Sequence, residues 1–184
     1  LSSWLSGYTP DVVLIHLGTN DCIWDADGLN PDPEPSLTAF GEVTWGELST
    51  VIQTVQSAHP AAEIFVAQII PVRSTVPDIQ ARVDALNAEI GEHAAGLGVT
   101  VVSFPTFANN STMLADAFHP NPTGESNMAN AWFNAIASTM DDLLSPVITS
   151  STSASGAVED TYTPGRFWFD SDKYLGFGFG FAGG

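Results

Sequence analysis

The stretch that decides the fold of this chain is Asp11-Val12-Val13-Leu14-Ile15-His16-Leu17-Gly18-Thr19-Asn20-Asp21. Its first half is an apolar run, typical of a strand that is covered on both faces of a parallel sheet. The run ends at Gly18, and short polar side chains follow it. Loops after such strands often carry binding and catalytic residues, because the scaffold fixes the loop ends and leaves the tips open to a ligand. We therefore expect a functional loop after this strand.

The alternation of strand-type and helix-type segments predicts an α/β fold. Two more apolar runs, Glu63–Pro71 and Val99–Ser103, have the composition of buried strands. Apolar residues recur at three- and four-residue intervals over Val43–Ala58, between Pro77 and Gly98, and after Asn121, which predicts helices there. Strands that alternate with helices form a parallel sheet with a helix layer on each face, because each crossover lays a helix on the sheet. The pattern predicts a three-layer α/β/α domain.

Loops and a tail account for the remaining sequence. Residues 23–41 are rich in Pro, Asp and Gly and are predicted to form an irregular surface loop. Asn121 and Pro122 have the residue types of an N-cap and a first helical position, and the apolar stripe after them is Met128, Trp132, Ile136, Met140 and Leu143. After Pro146, a Ser/Thr-rich run is followed by Gly-Phe alternation. We interpret residues 1–145 as one partial domain and 146–184 as a linker and low-complexity tail, with a β-strand in the tail as the alternative.

The acidic composition argues against nucleic-acid and membrane partners. Lys and Arg together number 4 against 21 Asp and Glu, which gives a formal net charge of −17. Such a protein repels phosphate backbones and anionic membrane surfaces, so we expect no nucleic-acid partner. No run approaches the roughly 20 apolar residues that a membrane-crossing helix needs, so no membrane span is expected. No pattern in the chain specifies an oligomeric state.

Other features concern processing and location. The lone Cys22 cannot form an internal disulfide. The overlapping sequons at Asn109 and Asn110, with the acidity and the scarcity of Lys, favour secretion. The chain starts at Leu1 with neither Met nor a basic signal-type head, so we expect a fragment or a processed form.

A second polar loop supplies the candidate chemistry. Asp116 and His119 lie three residues apart just before the last predicted helix, close enough for the carboxylate to accept a proton from one imidazole nitrogen. The other ring nitrogen could then act as a general base for a nucleophile. The side-chain amide of Asn20 could donate to negative charge that develops on a carbonyl oxygen. These groups indicate acyl transfer.

The two loops together resemble a known family. Gly18-Thr19-Asn20-Asp21 after a strand, and Asp116-x-x-His119-Pro120-Asn121 with Gly124 beyond it, resemble the third and fifth conserved blocks of the SGNH hydrolases, also called the GDSL esterase/lipase family. The resemblance covers roughly residues 8 to 144. It implies that Asn20 is an oxyanion-hole donor, that His119 is the catalytic base, and that Asp116 is its orienting acid, with no cofactor and no metal. It also implies a flavodoxin-like sheet with strand order 2-1-3-4-5.

One part of the family pattern is absent. The family's nucleophile lies in a Gly-Asp-Ser block after the first strand, and no Gly-Asp-Ser occurs in these 184 residues. The resemblance therefore implies a domain that lacks its first strands, with Val12–Leu17 as an exposed apolar edge. We expect the 184-residue chain alone to be a poor or inactive esterase and its longer parent to be active.

The substrate and the class of protein leave alternatives. The segment 11–21 resembles secreted fungal and bacterial members, which favours an ester substrate on an acetylated polysaccharide such as xylan, with lipids and small acyl esters open. A second hypothesis is a metal-dependent phosphoesterase with ligands at His16, Asp21, Asp116 and His119. A third is a non-catalytic, truncated surface protein held by its tail.

Several residues also have simpler structural interpretations. Asn20 could cap a turn, and Asp21 is interpreted as a local cap or loop anchor. The neighbouring His16 is interpreted as a packed strand histidine. Two other histidines, His59 and His93, are interpreted as surface residues. For Trp24 and Trp45 a substrate cleft and the core are equally compatible with the sequence.

Overall fold

The structure is a computed structural model that describes residues 5–26, 34–73, 75, 78–139, 147–152 and 158–163. Within these ranges only the backbone is described at 25–26, 108–111 and 139 and in the last two strands. The described residues divide into two compact units, of which the first ends at Ala131 and the second begins at Trp132. The candidate site lies in the first unit.

A parallel three-stranded sheet organises the first unit. Its strands are β1 (Val12–Ile15), β2 (Glu63–Ala67) and β3 (Thr100–Val102), paired in the order β1-β2-β3. Val13 pairs with Ile64 in the register, and Val66 pairs with Val101. The three predicted strands and the α/β fold class are confirmed. The observed order corresponds to the last three strands of the expected 2-1-3-4-5 sheet.

The part of the chain that the structure describes contains four α-helices. They are α1 (Thr19–Ala26), α2 (Leu37–Ala58), α3 (Ile79–His93) and α4 (Pro122–Thr139). The three predicted helices are confirmed. A 3₁₀ turn extends α3 and ends at Gly98, which has a φ of +70° and donates its N–H to the carbonyl of Ala95 at 3.0 Å. Among the described residues, no helix combines the length and apolar character that crossing a membrane requires.

The predicted loop over residues 23–41 is partly wrong. Helix α1 continues to Ala26, and α2 begins at Leu37, ahead of the predicted Val43. The hydroxyl oxygen of Ser36 accepts the N–H of Ala39 at 3.1 Å and caps the first turn of α2. This N-cap starts the helix within a segment whose Pro and Gly content indicated a loop. Residues 27–33 lie outside the described part of the chain.

The core forms on one face of the sheet and continues on the other. Val13 and Ile15 lie on the same face as Ile64 and Val66, because residues alternate between faces along a strand. That face is buried in a cluster that includes residues of α2 and α3: Leu48, Ile52, Val55, Ile79, Val83, Leu86 and Ile90. Buried hydrophobic residues outside this cluster are Phe65, Ala67, Ile70, Val102, Phe104, Phe107 and Leu114. Strand β2 is thus covered on both faces, as its apolar run predicts.

Strand β1 is the edge of this sheet. Within the described residues it is hydrogen-bonded to β2 alone. Val13 and Ile15 are 2% and 0% exposed, whereas Val12 and Leu14 on the opposite face are half-buried. The predicted edge position of this strand is therefore confirmed for the part of the chain that the structure describes.

The second unit contains the end of α4 and a β-hairpin. Strands β4 (Val147–Thr152) and β5 (Val158–Thr163) pair in antiparallel fashion. These strands correspond to the alternative that allowed β-structure in the tail. The predicted helical positions Met140 and Leu143 and the Gly-Phe repeat lie outside the described residues.

Close packing at Gly124 anchors the start of α4. A Cβ atom at this position would clash with the carbonyl oxygen of Met113 and would come within 2.9 Å of Pro120 Cβ and 3.1 Å of Phe107 Cζ. The backbone carbonyl cannot move aside as a flexible side chain could. Gly46, in the middle of α2, has nothing within 4 Å of the equivalent position.

These two glycines provide a matched test of the packing. We expect Gly124→Ala to lower the free energy of unfolding by about 1–3 kcal/mol, because overpacking against backbone costs that much. Gly46→Ala should raise it by about 0.5–1 kcal/mol, since alanine favours an open helix interior. Urea denaturation followed by circular dichroism measures both changes. Two variants of equal stability would contradict the close approach at Gly124.

Candidate active site

Asp116 and His119 form a hydrogen-bonded pair at the surface. His119 Nδ1 lies 2.8 Å from Asp116 Oδ2, and both side chains are 56% exposed. The second carboxylate oxygen, Oδ1, accepts the backbone N–H groups of Phe118 and His119, each at 2.8 Å. These backbone hydrogen bonds, first that of Phe118 and then that of His119, together with the bond to the imidazole, lower the pKa of Asp116 to about 2. The carboxylate is therefore ionised at neutral pH and orients the ring through Nδ1.

The loop around this pair is closed by backbone hydrogen bonds. Ala115 N–H donates to the carbonyl of His119 at 2.8 Å, and Leu114 forms an antiparallel bridge with Pro120. Asn121 then caps α4: its side-chain oxygen accepts the N–H groups of Thr123 and Gly124, each at 3.0 Å. The predicted N-cap is confirmed.

Arg73, in the segment after β2, donates hydrogen bonds to the Asp116–His119 loop. Its backbone N–H donates to the carbonyl of Ala117 at 2.8 Å, and its guanidinium Nη2 donates to the carbonyl of Asp116 at 3.0 Å. The sequence interpretation missed this residue. A signal was available, because only 4 Lys and Arg residues occur in the whole chain, and one of them follows the second strand.

Two amide side chains of α3 hold the segment that carries Arg73. Asn87 Oδ1 accepts the N–H of Ile69 at 2.7 Å, and Asn87 Nδ2 donates to the carbonyl of Ile69 at 2.9 Å. About two turns earlier on the helix, Gln80 Oε1 accepts the N–H of Val72 at 2.8 Å. The Asp116–His119 loop is thus connected to the helix layer through hydrogen bonds that satisfy otherwise unpaired backbone groups.

Asn20 lies at the same edge of the sheet by topology. It occupies the first turn of α1, directly after β1, and it is exposed. Gly18, with a φ of +123°, makes the bend between strand and helix. Since β1 and β2 are adjacent and parallel, the segments leaving their carboxyl ends start at one edge. The Asp116–His119 loop is hydrogen-bonded to Arg73 in the segment that follows β2.

The ligand set of the metal hypothesis is not assembled. Among the described residues, no three His, Cys, Asp or Glu side chains are grouped as they would be to hold a metal ion. The structure brings Asp116 and His119 together but gathers neither His16 nor Asp21 with them into such a group. The arrangement therefore favours acid–base chemistry at the pair.

His16 is packed, as the sequence predicted. Its ring meets the ring of Phe104 edge-on, with centroids 5.6 Å apart. The Nε2 atom is buried and has no hydrogen-bond partner among the described residues. Burial lowers the pKa of His16 to about 4, against the opposing effect of a hydrogen bond with the backbone of Gln68. This histidine is neutral at physiological pH.

The other histidines and the tryptophans divide between core and surface. His93 is exposed, as predicted, and its Nε2 lies 3.2 Å from the Glu89 carboxylate. The surface prediction for His59 is wrong: the residue is half-buried, and its Nε2 lies 3.2 Å from the carbonyl oxygen of Leu5. Trp45 is half-buried and packs against the core, whereas Trp24 is 61% exposed.

Comparison with known proteins identifies the family. Residues 2–126 match the sequence profile of the GDSL-like Lipase/Acylhydrolase family. The chain belongs to this family. The matched range of this GDSL-like chain contains Asn20, Asp116 and His119, and the resemblance seen in the sequence is confirmed.

Individual relatives of the GDSL-like chain show similar coverage. A protein of Acetivibrio thermocellus with the provisional name endoglucanase X is 23% identical over 133 residues, which are 72% of this chain and 53% of that protein. The structure of a carbohydrate esterase family 3 protein from Talaromyces cellulolyticus has a TM-score of 0.58 at 22% identity, with 77% of this chain and 64% of that chain covered. A Clostridium thermocellum family 3 carbohydrate esterase has a TM-score of 0.56 at 23% identity, with 77% and 63% covered.

The chain spans only part of the length of these relatives. It spans about half the length of the curated relative that it matches, 53%, and less than two thirds of both solved esterase structures, 64% and 63%. At these identities the structural likeness establishes the fold.

The buried His16 predicts a pH dependence of stability. Between its ordinary pKa of 6.5 and its folded pKa of about 4, the unfolded chain binds a proton that the folded protein excludes. Stability should therefore fall as the pH is lowered through this window. His16→Phe keeps an aromatic ring beside Phe104 and removes the titration. Between pH 7 and pH 4.5, we expect the wild type to lose about 2 kcal/mol more unfolding free energy than the variant.

Urea denaturation at the two pH values measures this difference. His93→Phe serves as the control, because it makes the same substitution at an exposed position. Parallel losses in the wild type and in His16→Phe would show that His16 is not held neutral by burial.

Proposed function

We propose that the protein containing this chain is a serine ester hydrolase. In this proposal His119 is the general base, Asp116 orients its ring, and Asn20 donates to the oxyanion. The observation that supports it is the 2.8 Å contact between His119 Nδ1 and the Asp116 carboxylate. Because that carboxylate stays ionised down to a pH of about 2, it favours the tautomer in which Nδ1 carries the proton and Nε2 can accept one.

The reaction proceeds through an acyl-enzyme. His119 Nε2 accepts the proton of a serine hydroxyl as its oxygen attacks the acyl carbon, and Asp116 stabilises the imidazolium that forms. The Asn20 amide donates to the negative oxygen of the tetrahedral intermediate. The alcohol leaves with the proton from His119, and a water molecule repeats the sequence to release the acid. The 184 residues contain no Gly-Asp-Ser, so the proposal assigns the nucleophile to a serine outside them.

Two observations support a polysaccharide ester as the substrate. The solved structures with similar folds include two proteins described as family 3 carbohydrate esterases. Asp116 and His119 are each 56% exposed within the described part of the chain, and an open pair is accessible to a polymer that could not enter a closed pocket. An acetyl ester on xylan fits both observations. The sequons and the acidic composition support secretion of such an enzyme.

Kinetics on the product of the complete open reading frame test the proposal. We expect hydrolysis of p-nitrophenyl acetate and release of acetate from acetylated xylan. His119→Ala should lower kcat by roughly 10³-fold or more. Asn20→Ala should lower it by about 10²- to 10³-fold with little change in KM, since the lost donor acts in the transition state.

Matched controls are available for both variants. His93 is an exposed histidine that also pairs with a carboxylate, that of Glu89, so His93→Ala should retain full activity. Asn130→Ala is the exposed asparagine control on α4. Activity that survives His119→Ala, or that disappears with a chelator, would contradict the serine mechanism. No ester hydrolysis by the complete protein would favour the non-catalytic alternative.

The 184-residue chain by itself tests where the nucleophile lies. We expect its rate with p-nitrophenyl acetate to equal that of its own His119→Ala variant. Turnover that a serine-directed inhibitor abolishes would place the nucleophile within these residues and would contradict that part of the proposal.

A further inference from the structure

The outward face of α1 carries a feature that the ester-cleavage machinery does not use. Asn20, Asp21 and Trp24 are exposed on this helix, whereas Cys22 is 0% exposed and Ile23 packs against the core. Residues four apart lie on the same side of a helix, about one turn from each other. Trp24 therefore lies beside Asn20, one turn farther along the helix.

The exposure of Trp24 is unusual for an indole. At 61% it is the highest value among the exposed large hydrophobic side chains of the described residues. Tryptophan is a large apolar group whose burial is strongly favourable, and exposed indoles are enriched where a protein binds a ligand or a partner. Trp45 shows the contrasting case, because it packs against the core. Among the residues that the structure describes, Trp24 is not part of the hydrophobic core cluster or of the side chains packed against it.

We propose that Trp24 is a stacking platform for a pyranose ring of a neutral polysaccharide whose ester group is bound at Asn20. The inference rests on the proposed function and adds a subsite and a substrate class to it. The face of the indole matches the apolar C–H face of a sugar ring, and its Nε1–H can donate to a hydroxyl. One helical turn, about 5.4 Å, separates this platform from the ester-binding amide, so a ring close to the ester along the polymer reaches it.

Charge restricts the polymer to a neutral one. Asp21 is exposed on the same helix, three residues before Trp24 and therefore beside it, and the chain has a net charge of −17. A polymer of uronic acids would bring like charges against this face, which disfavours binding. A neutral sugar can donate its hydroxyl groups to the Asp21 carboxylate.

Isothermal titration calorimetry of the complete protein with xylohexaose, which carries no ester, tests the platform without any ester cleavage. We expect Trp24→Ala to weaken binding by about tenfold, a typical loss when one ring loses its aromatic partner. Trp24→Phe should stay within about threefold of the wild type, because a smaller aromatic face remains. Phe133→Ala removes an aromatic side chain that is 59% exposed in the second unit and should bind as the wild type does. Circular dichroism checks that each variant is folded.

The outcomes separate this inference from the proposed catalysis. Equal affinities of the wild type and Trp24→Ala, or no xylohexaose binding by the wild type, would overturn the platform whatever the esterase assays show. An equal loss in Phe133→Ala would do the same. Binding of hexagalacturonate as tight as that of xylohexaose would overturn the restriction to neutral polymers. The hydrolysis measurements on His119→Ala decide the proposed function independently.

Discussion

Parallel pairing of β1, β2 and β3 is the constraint on which the rest of the structure depends. Parallel strands leave the sheet in the same direction, so every segment after a strand starts at one edge. The segment that carries Asn20 after β1 and the segment that carries Arg73 after β2 therefore begin at the same edge. If β2 were antiparallel, Arg73 and the Asp116–His119 loop bonded to it would lie at the opposite end of the sheet.

Hydrogen bonds hold the exposed pair Asp116 and His119 in place. Asp116 is exposed, yet its carboxylate accepts two backbone N–H groups and the imidazole of His119. Arg73 then fixes the carbonyl groups of Asp116 and Ala117. An exposed pair held in this way can meet a large substrate without losing its orientation, because its geometry does not require a closed pocket.

Two histidines show how location decides chemistry. His16 directly follows β1, whereas His119 lies in the loop before α4. Burial beside Phe104 lowers the pKa of His16 and keeps its ring neutral. His119 has an ionised carboxylate at Nδ1. The second environment suits a base that must become an imidazolium during a reaction, and the first does not.

The sequence by itself determined the strands, the three long helices and the Asp116–His119 pair. All of these are local: an apolar run, a period of 3.6 residues, and two polar residues three apart in a capped loop can be recognised without knowing what lies across the fold. Tertiary structure decided the roles of Arg73, Asn87 and His59, whose partners are distant in the sequence. It also decided that Trp24 faces outward while Trp45 packs inward. Residue type and spacing do not specify such contacts, because they form only when separate elements pack against each other.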